Sequence, residues 1–317
     1  MKLNTLKPFT LACMLALGLA ACGGEASKPA EGADSSAAPA AGQGTLDKIK
    51  SSGTIVLGHR DSSVPFSYIA DQPNQPVGYA HDLQLKVVEA VKKELNLPDL
   101  KVRYNLVTSQ NRIPLVSNGT VDLECGSTTN NLERQKQVDF SNAFFEIGTR
   151  LMAAKDAGIN GFGDLKGKTV VTTAGTTSER LLKEYNDKEK LGMNIISAKD
   201  HGEAALMLFN GRAQAFMMDD ILLAGERAKT PNPDNWVIVG EPMSFERYGC
   251  MVRKGDAPFK AVVDGALDAT FKNTAEIDAL YKKWFESPIP PKGVNLEFPM
   301  SAQVKEIIAN PTDKAAE

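Results

Sequence analysis

From residue 54 onward the chain alternates between short apolar runs and longer stretches with apolar residues at helical spacing. Thr54 to Gly58 reads as a buried strand, closed by the turn residues Asp61-Ser62-Ser63. Leu83, Val87, Val88, Val91 and Leu95 share one face of a helix, with Asp82 as its expected cap and Pro98 just past its end. Val102 to Val107 alternates like a strand, Ile113 to Asn118 reads as a short helix stopped by Gly119, and Val121 to Cys125 as a further strand. The same grammar restarts at Thr169 to Thr172, a strand followed by the small-residue turn Ala174 to Thr177 and a helix over Ser178 to Tyr185. Asn194 to Ser197 is a strand, Gly202 to Asn210 a helix, and Ala213 to Met218 a strand ending in Asp219-Asp220. Strand and helix in alternation argue for parallel α/β sheets, and two such series imply two lobes with a cleft between them.

Beyond that, Tyr248 to Arg253 is strand-like, and Ala261 to Thr270 and Ile277 to Phe285 are helical. Pro288 to Pro291 ends the regular structure. A short helix over Val304 to Ile308 precedes a tail expected to be disordered. The formal net charge of −3 over 317 residues lacks the basic excess of a nucleic-acid binder, so no nucleic-acid partner is expected. It leaves an anionic ligand open, because a cleft can be locally positive in an acidic protein.

The N-terminus sets the compartment. Lys2 and Lys7 precede a short apolar run, Phe9 to Leu19, which closes with Leu19-Ala20-Ala21-Cys22. This resembles the lipobox of bacterial lipoproteins, in which the Cys thiol is acylated and becomes the first residue after cleavage. The resemblance implies a signal peptide over 1–21 and lipidation of Cys22, hence export and a membrane anchor. Residues 22–43 are mostly Gly, Ala, Ser and Pro and cannot bury a core, so they read as a tether with a reach of ~25 Å. Cys125 and Cys250 remain in the folding part, as a disulfide or as two buried thiols. Neither has a Cys or His neighbour at metal-ligand spacing, so neither a metal nor a cofactor is expected.

Six stretches carry a family resemblance: GHRDSSVPFSY (58–68), TSQNRIPLVSNGTVDLECGSTTNNLERQKQVDFS (108–141), DLKGKTVVTTAGTTSE (164–179), AKDHGEA (198–204), GRAQAFMMDDILLAGERAK (211–229) and YKKWF (281–285). Together they are similar to the type II periplasmic solute-binding proteins of polar-amino-acid ABC importers, most of all to the glutamate/aspartate binders. The resemblance implies a two-lobed fold of mostly parallel sheets flanked by helices and joined by two hinge strands. One lobe would comprise 44–146 and 248–300, the other 147–247, with 301–317 as a C-terminal tail. The crossings would fall near Phe145–Thr149 and Phe245–Tyr248. Cys125 and Cys250 would then lie on adjacent antiparallel strands, where a bridge would contribute ~5 kcal/mol in the chain-entropy model.

The resemblance also assigns roles. Arg134 matches the fork that binds the α-carboxylate, although an arginine there could equally lie on a helix surface. Ser127 and Thr129 match positions that meet the ligand's backbone, and Thr177 one whose N–H meets the carboxylate, although a hydroxyl there could equally cap the helix. Asp219 matches the acceptor of the α-ammonium, and Asp220 should face away. Arg60, Ser109, Arg112 and His201 match the positions around the distal carboxylate of an acidic amino acid. Each also has a plain reading: a solvated loop residue, a turn cap, a helix pin and a helix cap. Pro65, Phe66 and Tyr68 fit either a cleft wall or the core. The family's Gly-aromatic-Asp-x-Asp run stands here as Gly78-Tyr79-Ala80-His81-Asp82, one acid short, which puts only local capping in doubt.

The function implied is capture of L-glutamate or L-aspartate by hinge closure and delivery to a membrane permease, by a monomer. Another polar amino acid, or a sensory role on the same fold, is the alternative. Some relatives of the fold are dehydratases of cyclic acids, but no nucleophile–base pair or Ser-His-Asp spacing is visible, so no enzyme is expected.

Overall fold

A computed structural model describes residues 43–315; the signal, Cys22 and all but the end of the tether lie outside the described residues. The described residues fall within one compact unit of two lobes. The first lobe is built on a five-stranded sheet in the order Lys101–Leu106, Thr54–His59, Leu123–Glu124, Met251–Arg253, Val138–Phe140. Thr54–His59 runs parallel to both neighbours, in register from Thr54 opposite Lys101 to His59 opposite Leu106. The returning strand Met251–Arg253 is antiparallel to its two neighbours, so the sheet is mixed.

The second lobe repeats this plan. Asn194–Ala198, Thr169–Thr173 and Ala215–Asp219 are parallel, and Phe145–Ala154 and Trp236–Val239 close the sheet antiparallel. Ala215–Asp219 is buried at every position, as expected of a strand covered on both faces. Phe145–Ala154 links the two halves: Phe145 to Gly148 pair with Phe245–Tyr248, and Thr149 onward pairs inside the second sheet.

An aromatic cluster packs where these linking strands leave the first lobe. Phe66 meets Phe145 at 4.9 Å and Tyr248 at 5.1 Å between ring centroids, mostly edge-on, and Phe145 stacks on Phe285 at 5.0 Å. Phe66 and Tyr68 are therefore core residues, and the Tyr68 hydroxyl donates to the Pro290 carbonyl at 2.8 Å. Gly78 permits this packing. Its φ is 135°, and a Cβ there would stand 2.2 Å from the Phe66 carbonyl oxygen, which no other residue could accommodate.

Several expectations are corrected. A helix, Thr45–Ser52, precedes the first strand; it buries Ile49 completely. Asp82 does not cap the helix Tyr79–Leu95, which starts after Gly78. Its carboxylate instead accepts from Lys283 Nζ and Trp284 Nε1, both at 2.7 Å, and pins the helix to Thr274–Phe285. Ala80, where the family's acid is missing, is wholly buried. Tyr248 to Arg253 is not continuous: Gly249 and Cys250 separate two strands. The tail is not loose. After the helix Ala302–Ala309, the Thr312 carbonyl accepts from Ala143 N–H at 2.8 Å and the Asp313 carbonyl from Asn130 Nδ2 at 2.7 Å. Cys125 and Cys250 are bonded, with Cα atoms 4.3 Å apart, and tie the two central strands of the first sheet. Among the described residues, no helix is long and apolar enough to cross a membrane.

Candidate functional site

The site residues sit where strands of both sheets end and the next helices begin. In the first lobe, the segment after Leu123–Glu124 carries Ser127 and Thr129, and the single helical turn Leu132–Gln135 carries Arg134. Asn131 caps that turn by accepting the Arg134 N–H at 2.9 Å. In the second lobe, Thr177 opens the helix Thr177–Glu189, His201 opens His201–Phe209, and Asp219 ends Ala215–Asp219. The caps of the first two helices are Thr176 and Asp200, so neither Thr177 nor His201 serves as a cap.

At one end of the site lie Arg134, Asp219, Thr129 and Thr177. Arg134 donates through Nη1 to the Thr129 carbonyl at 2.9 Å and through Nη2 to the Gly175 carbonyl at 3.3 Å, so its guanidinium spans the two lobes. Burial, then the charge of Arg112, lowers its pKa to about 9, which leaves it a cation at neutral pH. Asp219 accepts from Ser178 Oγ at 3.4 Å and from the Tyr248 hydroxyl. Burial, then the neighbouring Glu246 carboxylate, pushes Asp219 well above the usual carboxylate range. A cation beside it would reverse that shift. Thr129 and Thr177 both donate their hydroxyls to Glu246 Oε2, the second at 2.6 Å.

The other end is strongly cationic. Arg60 is fully buried and donates through Nη2 to Ser109 Oγ at 3.0 Å. Arg112 donates through Nη1 to the Ser127 carbonyl at 2.9 Å and to Thr128 Oγ1 at 2.5 Å. His201 meets Thr173 Oγ1 through Nδ1 at 2.9 Å. Burial, then Arg60, Arg112 and Lys229, holds its imidazole well below the ordinary pKa. Burial and the neighbouring Arg112 lower Arg60 to about 10. The guanidinium nitrogens Arg60 Nε and Nη1 and Arg112 Nε are buried without a partner in the protein, as are His201 Nε2, Ser62 Oγ and a single carboxylate oxygen, Glu124 Oε1. Each such group carries a penalty of about 1–3 kcal/mol, more when charged, so this end is built to receive acceptor atoms.

Residues 55–287 match the family described as bacterial extracellular solute-binding proteins, family 3. The chain belongs to this family. It is 70 % identical over 274 residues to the L-glutamate/L-aspartate-binding protein of Pseudomonas aeruginosa, covering 86 % of this chain and 90 % of that one. It is 57 % identical over 278 residues to the glutamate/aspartate import solute-binding protein of Salmonella typhimurium, covering 88 % and 91 %. Among solved structures, an ancestral arginine-binding protein bound to arginine superposes with a TM-score of 0.65 at 30 % identity, covering 74 % of this chain and 98 % of that one. The ancestral amino acid-binding protein AncCDT-1, a precursor of cyclohexadienyl dehydratase, does so at 0.64 and 31 %, covering 76 % and 99 %.

In this family member the nine residues singled out from sequence are all buried and fall into small hydrogen-bonded sets. Arg60 bonds Ser109, Arg112 bonds Ser127, Arg134 bonds Thr129, and Glu246 joins Thr129 to Thr177. His201 feels the charge of Arg60, and Asp219 that of Glu246 and Arg112. Asp220 turns away, accepting its neighbour's Ile221 N–H at 2.7 Å as the helix Asp220–Ala228 begins. Sequence reasoning missed Ser62, Glu124, Thr128, Glu246 and Tyr248. Glu124 is a buried acid that accepts the Thr128 hydroxyl at 2.8 Å and faces the Arg60 and Arg112 charges. The one available signal was an acidic residue inside an otherwise apolar strand, Leu123-Glu124-Cys125. Glu246 gave less, because Phe245-Glu246-Arg247-Tyr248 places one aromatic and one charge on each face of the strand and does not say which face is inward.

Proposed function

We propose that this extracellular solute-binding protein captures L-glutamate or L-aspartate, closes its lobes around it and presents it to the permease of an ABC importer. The observation that carries the choice of ligand is the set of unpartnered buried guanidinium donors on Arg60 and Arg112, together with the unpartnered Nε2 of His201. A side-chain carboxylate would satisfy them, whereas a neutral amide would leave two buried guanidinium groups with Glu124 as the one carboxylate they share to balance them. Arg134 would clamp the α-carboxylate, supported by Ser127 and the Thr177 N–H, and Asp219 would accept the α-ammonium. The relatives named for glutamate and aspartate support the same reading.

Closure follows from where these groups sit. Arg60, Ser109, Arg112, Ser127, Thr129 and Arg134 come from one lobe, and Thr177, His201 and Asp219 from the other. Only the closed arrangement satisfies a ligand completely, so the ligand stabilises it by its differential affinity. We read 44–146 with 248–300 as one lobe, 147–247 as the other, and 301–317 as a tail held to the first at Thr312 and Asp313. Leu19-Ala20-Ala21-Cys22 supports a lipid anchor that holds this monomer at a membrane by a flexible tether; Cys22→Ala should release it to the soluble fraction.

Titration calorimetry tests the ligand. L-glutamate and L-aspartate should bind, and L-glutamine should be weaker by on the order of 10⁴-fold, because it strands the buried donors. Heat with a neutral or basic amino acid and none with either acid would overturn the assignment.

A further inference from the structure

The structure assigns to Glu246 the role of a positioning residue that makes the site select the α-ammonium group; this rests on the amino-acid reading above. Glu246 lies on the linking strand Phe245–Tyr248 and is buried. Its Oε2 accepts the Thr129 hydroxyl from one lobe and the Thr177 hydroxyl from the other, and its Oε1 accepts Ser244 Oγ at 3.2 Å.

A threonine hydroxyl has a single proton. With that proton committed to Glu246, each oxygen presents only lone pairs to a bound molecule. Thr129 and Thr177 therefore act as hydrogen-bond acceptors toward the ligand and cannot donate to its carboxylate. Tyr248, two residues along the same strand, commits its hydroxyl proton to Asp219 in the same manner. One strand thus fixes the proton direction around the acceptor end of the site, through Glu246 and Tyr248, which share its inward face. Acceptors of this kind suit an ammonium group, which has three protons and no lone pair. The α-carboxylate is left to Arg134 and backbone N–H groups. Glu246 touches no ligand in this scheme; it acts through the two threonines, and because they come from opposite lobes it also aligns them across the cleft.

The test compares L-glutamate with glutarate, which keeps both carboxylates and lacks the amino group, by calorimetry on the full chain. E246Q places an amide that can donate to the threonine oxygens. It should weaken L-glutamate by roughly 10- to 100-fold, the range for a hydrogen bond to a charged group, and glutarate by less than about threefold. A merely structural role would weaken both alike, and equal losses, or no loss for L-glutamate, would overturn the proposal. A second measurement does not need glutarate: in a chain carrying T129V and T177V, E246Q should weaken L-glutamate by less than about threefold, and an undiminished loss there would also overturn it. Should the wild type bind neither acid but another amino acid, the ligand assignment falls, and Glu246 is tested by the same comparison with that amino acid and its des-amino analogue.

Discussion

The two ends of the site are finished to different degrees. Around Asp219, Thr129, Thr177 and Arg134, protein groups meet protein groups: two hydroxyls on Glu246, a phenol on Asp219, a guanidinium on two carbonyls. Around Arg60, Arg112 and His201, buried nitrogens face no protein partner. The first end is pre-organised by its own network and, in the proposed function, would recognise what every amino acid shares. The second end is left incomplete and would be completed by what distinguishes one amino acid from another. General recognition is built into the protein, and specificity is supplied as an unmet demand for acceptors.

The largest effect should come from the shared end. Arg134→Ala removes a buried cation that also serves the Thr129 and Gly175 carbonyls. Losing a buried charge partner costs about 2–5 kcal/mol of binding, so affinity for any amino acid should fall by roughly 30- to 5,000-fold, with no change in rank among ligands. Calorimetry against L-glutamate and L-aspartate checks this. A variant that lost one ligand and kept the other would break the division between a general and a specific end.

Arg60→Met should separate the ends by acting in opposite directions on stability and binding. It replaces a fully buried cation whose Nε and Nη1 have no protein partner with an apolar chain of similar length. The ligand-free protein should gain about 1–3 kcal/mol, read as a higher urea midpoint. Affinity for L-glutamate should drop by roughly 10- to 100-fold, and the preference over L-glutamine should narrow. Arg134→Ala, by contrast, should lower the midpoint, because it strands two carbonyls. If Arg60→Met also destabilised the free protein, the incomplete end would not be incomplete.

Much of this was legible in the chain, for reasons that differ by element. The strand–helix alternation predicted the parallel half of each sheet, because buried parallel strands read as apolar runs. It could not predict the antiparallel returns such as Trp236–Val239, whose residues are all half-buried and carry no period. The helix Thr45–Ser52 escaped because Ile49 is its only fully buried large apolar residue. The tail escaped for a related reason: backbone carbonyls fasten it to Ala143 and Asn130, and its ion pair, Asp313 with Lys260 at 3.1 Å, leaves no hydrophobic pattern in the sequence. The nine site residues were found through family resemblance, since an arginine after a strand looks alike whether solvated or buried. The supporting layer was the least legible part: Glu246 acts through contacts 117 and 69 residues away and Tyr248 through one 29 residues away, while Glu124 left only the mark of an acid in an apolar strand.

The smallest effect concerns His201, which tests whether the specific end responds to pH. Burial and the charges of Arg60, Arg112 and Lys229 lower its pKa, so the folded, ligand-free protein holds it neutral. Between that lowered value and about 6.5, the unfolded chain binds more protons than the folded one. The stability His201 contributes is therefore present above about pH 6.5 and is lost as pH falls below it. A ligand carboxylate beside Nε2 favours the imidazolium and raises the pKa again. Binding of an acidic amino acid near pH 6 should then take up protons at His201. Asp219 opposes this, since its raised pKa in the free protein means an arriving ammonium releases protons there. Only the difference between wild type and His201→Gln isolates the histidine. In calorimetry run in buffers of different ionisation heat, the wild type should take up more protons per L-glutamate than the variant at pH 6, and the gap should close by pH 8. Equal proton counts at both pH values would mean that the two arginines alone satisfy the side-chain carboxylate and that His201 serves only to shape the pocket.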